Sequence, residues 1–267
     1  MKKLVFLVVL LVFVGSACAA DTTTGLVGWW KMNETSGNVA ADSSGFGNDG
    51  TIGASDTWIA GGGLDFAGDG GINFANNGAD LIADMGLTDQ VTISFIMSGH
   101  TAGDNGYAFS GKNNEPWEWG GATYYGKHIL SMEAACGCGL HFLTKMGSGD
   151  SNWGWEAFNP ADDRYLFKDS AARRITTTVN FTTGEQFFYL DDQPWFSAGV
   201  TGGFALGGEL SLLSFGIGIE GYDSAMADFR IYNRALTAED VAALVPEPAT
   251  LALLGFGALA LIKRKRS

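Results

Sequence analysis

The sequence predicts an all-β fold, an antiparallel two-sheet sandwich with one short C-terminal helix. Glycine makes up 39 of the 267 residues and separates short β-branched and aromatic runs, which is typical of turn-rich antiparallel sheets. Apolar and polar residues alternate with a period of two, most clearly in V-T-I-S-F-I-M at 91–97. No amphipathic helical periodicity precedes residue 237. These observations favour short strands and turns over helices.

The predicted strands can be placed in chain order. The first is G-L-V-G-W-W at 25–30, and the core is expected to hold at least one of Trp29 and Trp30. The others are expected at 63–66, 71–74, 91–97, 174–181, 187–192, 210–219 and 226–232. Thr237 is the expected N-cap of a helix over 237–244, with Asp240 at its third position. Strands followed by a single terminal helix indicate a β-sandwich.

The last 22 residues have the composition of a sorting address. Pro246, Glu247 and Pro248 precede an apolar run that ends at Ile262, and four consecutive cations follow at 263–266. This tail resembles the PEP-CTERM sorting signal of Gram-negative bacteria. The resemblance implies recognition and cleavage by an exosortase, with the tail held transiently in the inner membrane. The expected destination is the cell surface or the extracellular matrix.

The apolar run is short for a membrane span. Ala249 to Ile262 is 14 residues, against about 20 for an unaided helix, so a buried C-terminal helix is the alternative. Gly255 and Gly257 would weaken such a helix in water, and the cation cluster is an unusual end for a core element. The sorting signal is therefore the favoured interpretation.

The N-terminal residues have the order of a secretory signal peptide. Lys2 and Lys3 precede an apolar stretch from Leu4 to Val14, and small residues occupy 15–20. A lipoprotein through Cys18 is the alternative, although Gly15 stands where a lipobox normally carries an aliphatic residue. The predicted organisation is a signal peptide over 1–20, one domain over 21–245 and a sorting tail over 246–267.

The predicted domain is strongly acidic. Residues 21–245 retain 10 of the 16 Lys and Arg and 28 of the 29 Asp and Glu, which gives a net charge of −18. Such a charge disfavours nucleic acid and anionic lipid as partners. It favours neutral partners or cations, and calcium is the obvious cation outside the cytoplasm.

Motifs at both ends of the domain resemble one family. The opening G-L-V-G-W-W-K-M-N-E-T-S-G and the closing M-A-D-F-R-I-Y-N-R-A-L-T-A-E-D resemble the first and last elements of LamG-like, concanavalin A-like jelly-roll domains. The strands V-T-I-S-F and F-Y-L-D-D fall between them in the family's order, although Asp192 replaces the family's glycine and 98–172 does not match. The resemblance implies two packed antiparallel sheets, often with structural calcium, in a fold that serves lectins, adhesins and glycosidases alike.

A structural calcium site is one candidate. Asp42, Asn48 and Asp49 lie in a glycine-rich loop that supplies hard oxygen ligands at irregular spacing. Asp228 stands before the last predicted strand, where the resemblance implies that such a site is completed. The alternative is that these residues form Asx turns and satisfy their own backbone.

The unmatched middle of the chain concentrates aromatic residues. Trp117 with Trp119, and Trp153 with Trp155, each stand two positions apart, so each pair would share one face of an extended strand. Tyr124 and Tyr125 follow nearby. Aromatic faces bind sugar rings, so these six residues are the predicted glycan contacts. The alternative is that they belong to the sandwich core.

The only two cysteines of the predicted domain, Cys136 and Cys138, lie between His128 and His141. Thiolates and imidazoles could bind zinc or copper, but C-x-C is tighter than the usual spacing of structural zinc ligands. A Cys136–Cys138 disulfide, or two free thiols, is the alternative in an oxidising compartment.

No catalytic pattern is found in the sequence. The E-x-D-x-E and E-x-D-x-x-E strands of concanavalin-like glucanases, the G-x-S-x-G elbow and the H-E-x-x-H helix do not occur. The prediction is a non-catalytic surface or matrix protein that binds glycan or exopolysaccharide. The alternative is a structural matrix component that assembles with other proteins without sugar recognition.

Overall fold

Two eight-stranded antiparallel sheets and a separate two-stranded hairpin make up the fold. The computed structural model describes residues 22–66, 70–86, 88–98, 106–119, 122–125, 128–135, 139–144, 156–157, 171–199, 206, 210–218 and 224–244. The predicted all-β class is confirmed.

The first sheet contains both ends of the described chain. Its strands are β1 (Leu26–Trp30), β4 (Thr57–Trp58), β5 (Leu64–Phe66), β7 (Gln90–Ser98), β14 (Arg173–Asn180), β15 (Glu185–Leu190), β16 (Gln193–Gly199) and β18 (Ser224–Tyr232). Their order is β16-β15-β14-β7-β18-β5-β4, and β1 pairs with β18 next to β5. The first and last predicted strands are therefore hydrogen-bonded to each other, although the sequence separates them by nearly the whole domain.

The second sheet holds most of the strands from the middle of the chain. Its strands are β2 (Val39–Ala40), β3 (Gly50–Ile52), β6 (Ile72–Phe74), β8 (Gly106–Lys112), β11 (His128–Ala135), β12 (Gly139–Thr144), β13 (Glu156–Ala157) and β17 (Leu212–Gly218). Their order is β13-β12-β11-β8-β17-β6-β3-β2. The two short strands predicted at 63–66 and 71–74 both form, but they belong to different sheets.

The core lies between the two sheets and is built on aromatic rings. Phe95 of the first sheet stacks on Phe229 at 5.4 Å between centroids, and both rings meet Phe109 of the second sheet edge-on. Trp30 is fully buried and packs against Phe229 and Phe74. The prediction that at least one tryptophan of the opening strand is a core residue is confirmed. Such ring contacts add to the stabilisation from burial and hold the two sheets together.

Two helices accompany the sheets in the described parts of the chain. Helix α1 (Ala79–Met85) follows a 3-10 turn (Ala75–Gly78) and buries Leu81, Ile82 and Met85. The expectation that no helix precedes residue 237 is wrong at this place, because three apolar residues within two turns are too short a signal for a periodicity test. No helix among the described residues has the length and apolar character needed to cross a membrane.

The C-terminal helix α2 (Ala238–Ala242) has the predicted cap. The Thr237 hydroxyl accepts a hydrogen bond from the Asp240 backbone N–H at 3.2 Å, and the Asp240 carboxylate accepts one from the Thr237 N–H at 3.1 Å. The helix covers part of the outer face of the first sheet, the face turned away from the second sheet. There a second hydrophobic cluster forms from Tyr189, Tyr232, Leu236, Val241 and Leu244.

Candidate functional site

The predicted glycan aromatics lie on a hairpin of their own. Among the described residues, strands β9 (Pro116–Trp119) and β10 (Ala122–Tyr125) pair with each other and with no strand of either large sheet. The register pairs Trp117 with Tyr124 and Pro116 with Tyr125. Trp117, Trp119 and Tyr124 therefore occupy strand positions on one face of the hairpin, and Tyr125 occupies a position on the other face. Trp153 and Trp155 lie outside the described residues.

The two histidines of the predicted Cys and His cluster lie far apart on strands β11 and β12. His141 pairs with Glu133, and His128 stands five residues further along β11. At about 3.3 Å per residue, the two histidine backbones are separated by roughly 16 Å along the strand. This separation does not fit one metal centre with both imidazoles. Cys136 and Cys138 lie outside the described residues, so their disulfide stays a prediction.

The Asp42 carboxylate organises the glycine-rich loop. Its Oδ1 accepts hydrogen bonds from the backbone N–H of Trp29 at 3.0 Å and of Ser44 at 2.8 Å. Its Oδ2 accepts from the Ser44 hydroxyl at 2.7 Å and from the N–H of Gly47 at 3.1 Å and Asn48 at 3.0 Å. Five donors therefore converge on one carboxylate, which ties residues 43–48 to the opening strand.

These donors change the acidity of Asp42. Burial alone raises its pKa, but the hydrogen bonds from Ser44, Trp29 and Asn48 favour the ionised form, and the net pKa lies below the ordinary 3.8. The charge of Asp42 is thus neutralised by fixed N–H groups of its own neighbourhood. This is the geometry expected of an Asx turn extended over a whole loop.

The other two loop residues also contact protein groups. The Asn48 backbone carbonyl accepts a hydrogen bond from the Trp30 indole at 2.9 Å, and the Asn48 amide donates to the Asp84 carboxylate at 2.7 Å. Asp49 Oδ1 accepts from the Asp42 N–H at 2.7 Å. The structure thus brings Asp42, Asn48 and Asp49 together, as the sequence predicted, and ties them to the core through Trp30.

Asp228 lies in a β-bulge inside β18 rather than before the last strand. Its φ is +49°, and the pairing of β18 with β7 shifts register between Ala227 and Arg230. A β-bulge changes the direction in which a side chain leaves the strand. Here the bulge leaves Phe229 in the core and sends Asp228 and Arg230 to the outer face of the first sheet.

Two arginines surround the Asp228 carboxylate. Arg174 forms an ion pair with Asp228 Oδ2, and Arg230 bonds Asp228 Oδ1 at 3.0 Å and Oδ2 at 2.9 Å. Arg174 is 5% exposed and also donates to the Ser94 hydroxyl at 3.0 Å, which bonds to Thr176 at 2.8 Å. Burial lowers the pKa of Arg174, and the Asp228 charge opposes that effect. The buried charge of Arg174 and the charge of Asp228 therefore compensate each other.

Trp29 joins the two aspartates. Its backbone N–H donates to Asp42, and its indole N–H donates to Asp228 Oδ1 at 2.6 Å. The ammonium of Lys31 lies 4.3 Å from the centroid of the Trp29 ring, and the Arg230 guanidinium lies 4.8 Å from it. Cations over an indole are attracted by its π face. The backbone N–H, the indole N–H and the ring of Trp29 thus all contact other groups of the protein.

The described residues contain no group of three or more His, Cys, Asp or Glu side chains placed to hold a metal ion. Of the four predicted calcium ligands, Asp42 already accepts five hydrogen bonds, and Asp228 is paired with two guanidinium groups. A calcium ion would have to displace these partners. The calcium site stays a prediction.

Sequence reasoning singled out Asp228 but missed Arg174, Arg230, Ser94 and Thr176. A signal was present, because V-T-I-S-F and R-I-T-T-T both place polar residues at alternate positions of predicted strands. Alternation also implies a shared face. Only the pairing of β14 with β7, and of β7 with β18, shows that the polar residues of these strands lie on one face of the same sheet.

A small open pocket lies beside the Asp42 loop. Asp49, Asp80 and Phe74 are among the residues that line it. Phe46, which lies in the same loop as Asp49 but does not line the pocket, is 53% exposed.

Comparison with known proteins adds two findings. A family model described as the PEP-CTERM protein-sorting motif matches residues 244–267. No curated protein matches the chain. The predicted sorting motif, with Pro246, Glu247 and Pro248, is therefore confirmed, and the chain carries an export and sorting signal at this end.

The fold is similar to those of solved carbohydrate-related proteins. Trypanosoma rangeli sialidase in complex with sialic acid is 16% identical with a TM-score of 0.55, and the likeness covers 82% of this chain and 32% of that one. The binding domain of botulinum neurotoxin DC in complex with SialylT is 13% identical with a TM-score of 0.59, over 84% and 51% of the two chains. The receptor-binding domain of the botulinum neurotoxin C/D mosaic serotype is 14% identical with a TM-score of 0.58, over 82% and 50%.

This chain thus spans between a third and a half of those proteins. At these identities the likeness establishes the β-sandwich fold alone. The LamG-like assignment stays a prediction.

Proposed function

We propose that the protein is an exported, non-catalytic surface or matrix protein that binds polysaccharide through its β-sandwich. The sorting motif at 244–267 supports export and processing by an exosortase. On this proposal the protein is held in the inner membrane of a Gram-negative bacterium by its tail and then passes to the cell surface or the extracellular matrix.

The observation that carries glycan binding is the independent hairpin β9–β10. It places Trp117, Trp119 and Tyr124 at strand positions on one face, and among the described residues it pairs with no strand of either large sheet. Aromatic residues so arranged provide flat apolar faces for sugar rings. The likeness to two proteins solved with sialyl sugars supports carbohydrate as the general class of ligand. Because sialic acid is itself anionic, the charge of the sugar is inferred separately, from the charge of this domain.

The charge of the domain narrows the class of sugar. With a net charge of −18 over residues 21–245, the surface repels uronic acids and other anionic polysaccharides at low salt. A neutral polysaccharide is therefore the proposed ligand. The effect is electrostatic, so binding of anionic polymers should increase with ionic strength.

The alternative, a structural component that assembles through its sheet edges, finds less support. Among the described edge strands of the two large sheets, β2, β4 and β13 are each two residues long, and β16 carries Pro194. The fifth, β1, has its free side against the loop of Asp42. Very short strands and proline are the devices that blunt edges against strand addition. Assembly would therefore need a surface other than the described edges.

The test is retention on immobilised neutral polysaccharides. Replacing Trp117 and Trp119 with alanine should weaken binding at least about fivefold, since each aromatic contact contributes roughly 0.5–1.5 kcal/mol. Phe187→Ala is the matched control, because Phe187 is an exposed aromatic residue (43%) of the first sheet. It should leave retention unchanged.

Other outcomes would contradict the proposal in distinct ways. Unchanged retention after the double substitution, with loss in Asp80→Ala, would move the groove to the pocket beside the Asp42 loop. Failure of the wild-type chain to bind any neutral polysaccharide would overturn glycan binding. Release of reducing sugar during the same incubation would overturn the non-catalytic assignment.

A further inference from the structure

The described chain enters and leaves the sandwich at the same pole. The Tyr232 hydroxyl donates to the Thr22 carbonyl at 3.1 Å, and the Arg234 Nε donates to the Thr24 carbonyl at 2.8 Å. The Asn233 N–H donates to the Gly25 carbonyl at 2.8 Å. Residues 22–25 therefore lie against the start of the segment 233–244, and the two segments together are here called the terminal pole.

Helix α2 fixes the exit of the chain at this pole. Val241 is fully buried and Leu244 is 2% exposed, and both pack with Tyr232 and Tyr189 on the outer face of the first sheet. The Arg234 guanidinium pairs with Asp240 at 2.7 Å and braces the helix against the end of β18. The last described residue is thus anchored to the sheet rather than loosely attached.

The sorting signal follows this anchor with almost no spacer. Pro246 is two residues beyond Leu244, and the apolar run begins at Ala249, five residues beyond it. At no more than about 3.5 Å per residue, a spacer of five residues can span at most roughly 18 Å. The predicted signal peptide ends at residue 20, two residues before Thr22.

We propose that the terminal pole is the surface that faces the lipid bilayer while the sorting tail is inserted. This rests on the proposed export and tail insertion. The tail then reaches the membrane from the same end of the sandwich at which the domain begins, at Thr22. The opposite pole, where Asp65 pairs with Ala225 and Ala225 with Ser98, faces away from the bilayer.

The side chains of the terminal pole indicate that the inserted tail holds the pole against the bilayer, and that the pole itself does not adhere to lipid. Its exposed side chains are small or acidic, and among the described residues they are Thr23, Thr24, Thr237, Ala238, Glu239, Ala242 and Ala243. The Arg234 cation of this pole is paired with Asp240. Lipid headgroups are gripped by basic and aromatic side chains, so cleavage of the tail would leave nothing on this surface to retain the protein.

The test measures which pole lies near lipid. The full chain, with all three cysteines replaced by serine, is placed in phosphatidylcholine nanodiscs that contain headgroup spin-labelled lipid. Single cysteines are introduced as Glu239→Cys at the terminal pole and Asp65→Cys at the opposite pole, and each carries a bimane fluorophore. Both sites are exposed acidic residues, and the seven residues from Tyr232 to Ala225 separate them by about 20 Å.

Quenching of the Glu239→Cys label should exceed that of the Asp65→Cys label several-fold. A second pair, Ala242→Cys against Thr57→Cys, repeats the measurement in case one variant fails to fold. Equal quenching at both poles, stronger quenching at the opposite pole, or no quenching at either would overturn the proposal. Glycan retention of the same preparations is measured separately, so failure of one proposal is distinguishable from failure of the other.

Discussion

The loop of Asp42 and the bulge of Asp228 neutralise one negative charge each by different means. Asp42 accepts hydrogen bonds from four N–H groups and one hydroxyl, and the loop at 44–48 supplies four of these five donors. Asp228 has one partner nearby in sequence, Arg230, but also relies on Arg174, 54 residues away, and on the Trp29 indole, 199 residues away. Both aspartates meet at Trp29, yet one belongs to a turn and the other to the tertiary structure.

The difference shows how local and distant partners affect stability. A loop carboxylate that caps its own backbone remains half-buried, and water can replace some of its donors if it is lost. A carboxylate between guanidinium groups on a sheet face cannot be replaced so easily, because its removal leaves buried cations without a counter-charge. The two sites should therefore respond differently to substitution, to pH and to calcium.

The largest effect is expected from Asp228→Ala. This change leaves Arg174, which is 5% exposed, without its ionic partner, and should lower the free energy of unfolding by about 3–5 kcal/mol. The measurement is denaturant unfolding followed by tryptophan fluorescence. Asp65→Ala is the control, since Asp65 is exposed on the same sheet and its loss should change stability by less than about 0.5 kcal/mol.

A paired replacement sharpens this prediction. Arg174→Met combined with Asp228→Leu removes both charges of the more buried pair and leaves only Arg230, whose side chain is more exposed than that of Arg174, without its ionic partner. It should therefore recover part of the stability lost in Asp228→Ala. If Asp228→Ala costs no more than Asp65→Ala, the ion pair does not stabilise the fold, and the contrast with Asp42 disappears.

The second effect concerns acid. The folded-state pKa of Asp42 lies below 3.8, so its contribution is present above the unfolded pKa and is lost as pH falls through the folded value. Asp42→Asn should therefore destabilise the protein by about 2 kcal/mol at pH 7. The difference from wild type should shrink as pH falls below about 4.

Asp240 titrates in the same range and must be separated from Asp42. Burial raises the Asp240 pKa, but the Arg234 side chain and the Thr237 cap outweigh it, and the net pKa is lowered. Because Asp240 is present in both proteins, the wild-type minus Asp42→Asn difference isolates Asp42. A difference that stays constant from pH 7 to pH 2 would mean that the Asp42 charge does not matter.

The smallest effect is expected from calcium. Since Asp42 and Asp228 already have hydrogen-bonding and ionic partners, calcium in place of chelator should raise the melting temperature by less than about 2 °C. A rise of many degrees that Asp42→Asn abolishes would instead establish the predicted calcium site, and the Asp42 donors would then have to rearrange around the ion.

Local sequence patterns predicted much of the fold. The strand at 91–97 and the Thr237 cap were readable because alternation and capping depend on a few neighbouring residues. Helix α1 was missed because seven residues with three buried side chains are too few for a periodic signal. The candidate site was readable only in part: the carboxylates of the Asp42 loop and Asp228 were named from the sequence, but the arginine partners of Asp228 were not, and the glycan-binding role of the paired aromatics stays a prediction.

The sequence by itself determined the all-β class, the order of the main strands and the sorting address at the C-terminus, since each depends on composition or on contiguous residues. Only the tertiary structure decided that β1 pairs with β18, that Arg174 and Arg230 share one carboxylate, and that Thr22 and Leu244 lie at one pole. The physical reason is that strand pairing joins residues of any sequence separation, and a buried charge accepts whichever partner the pairing brings to its face.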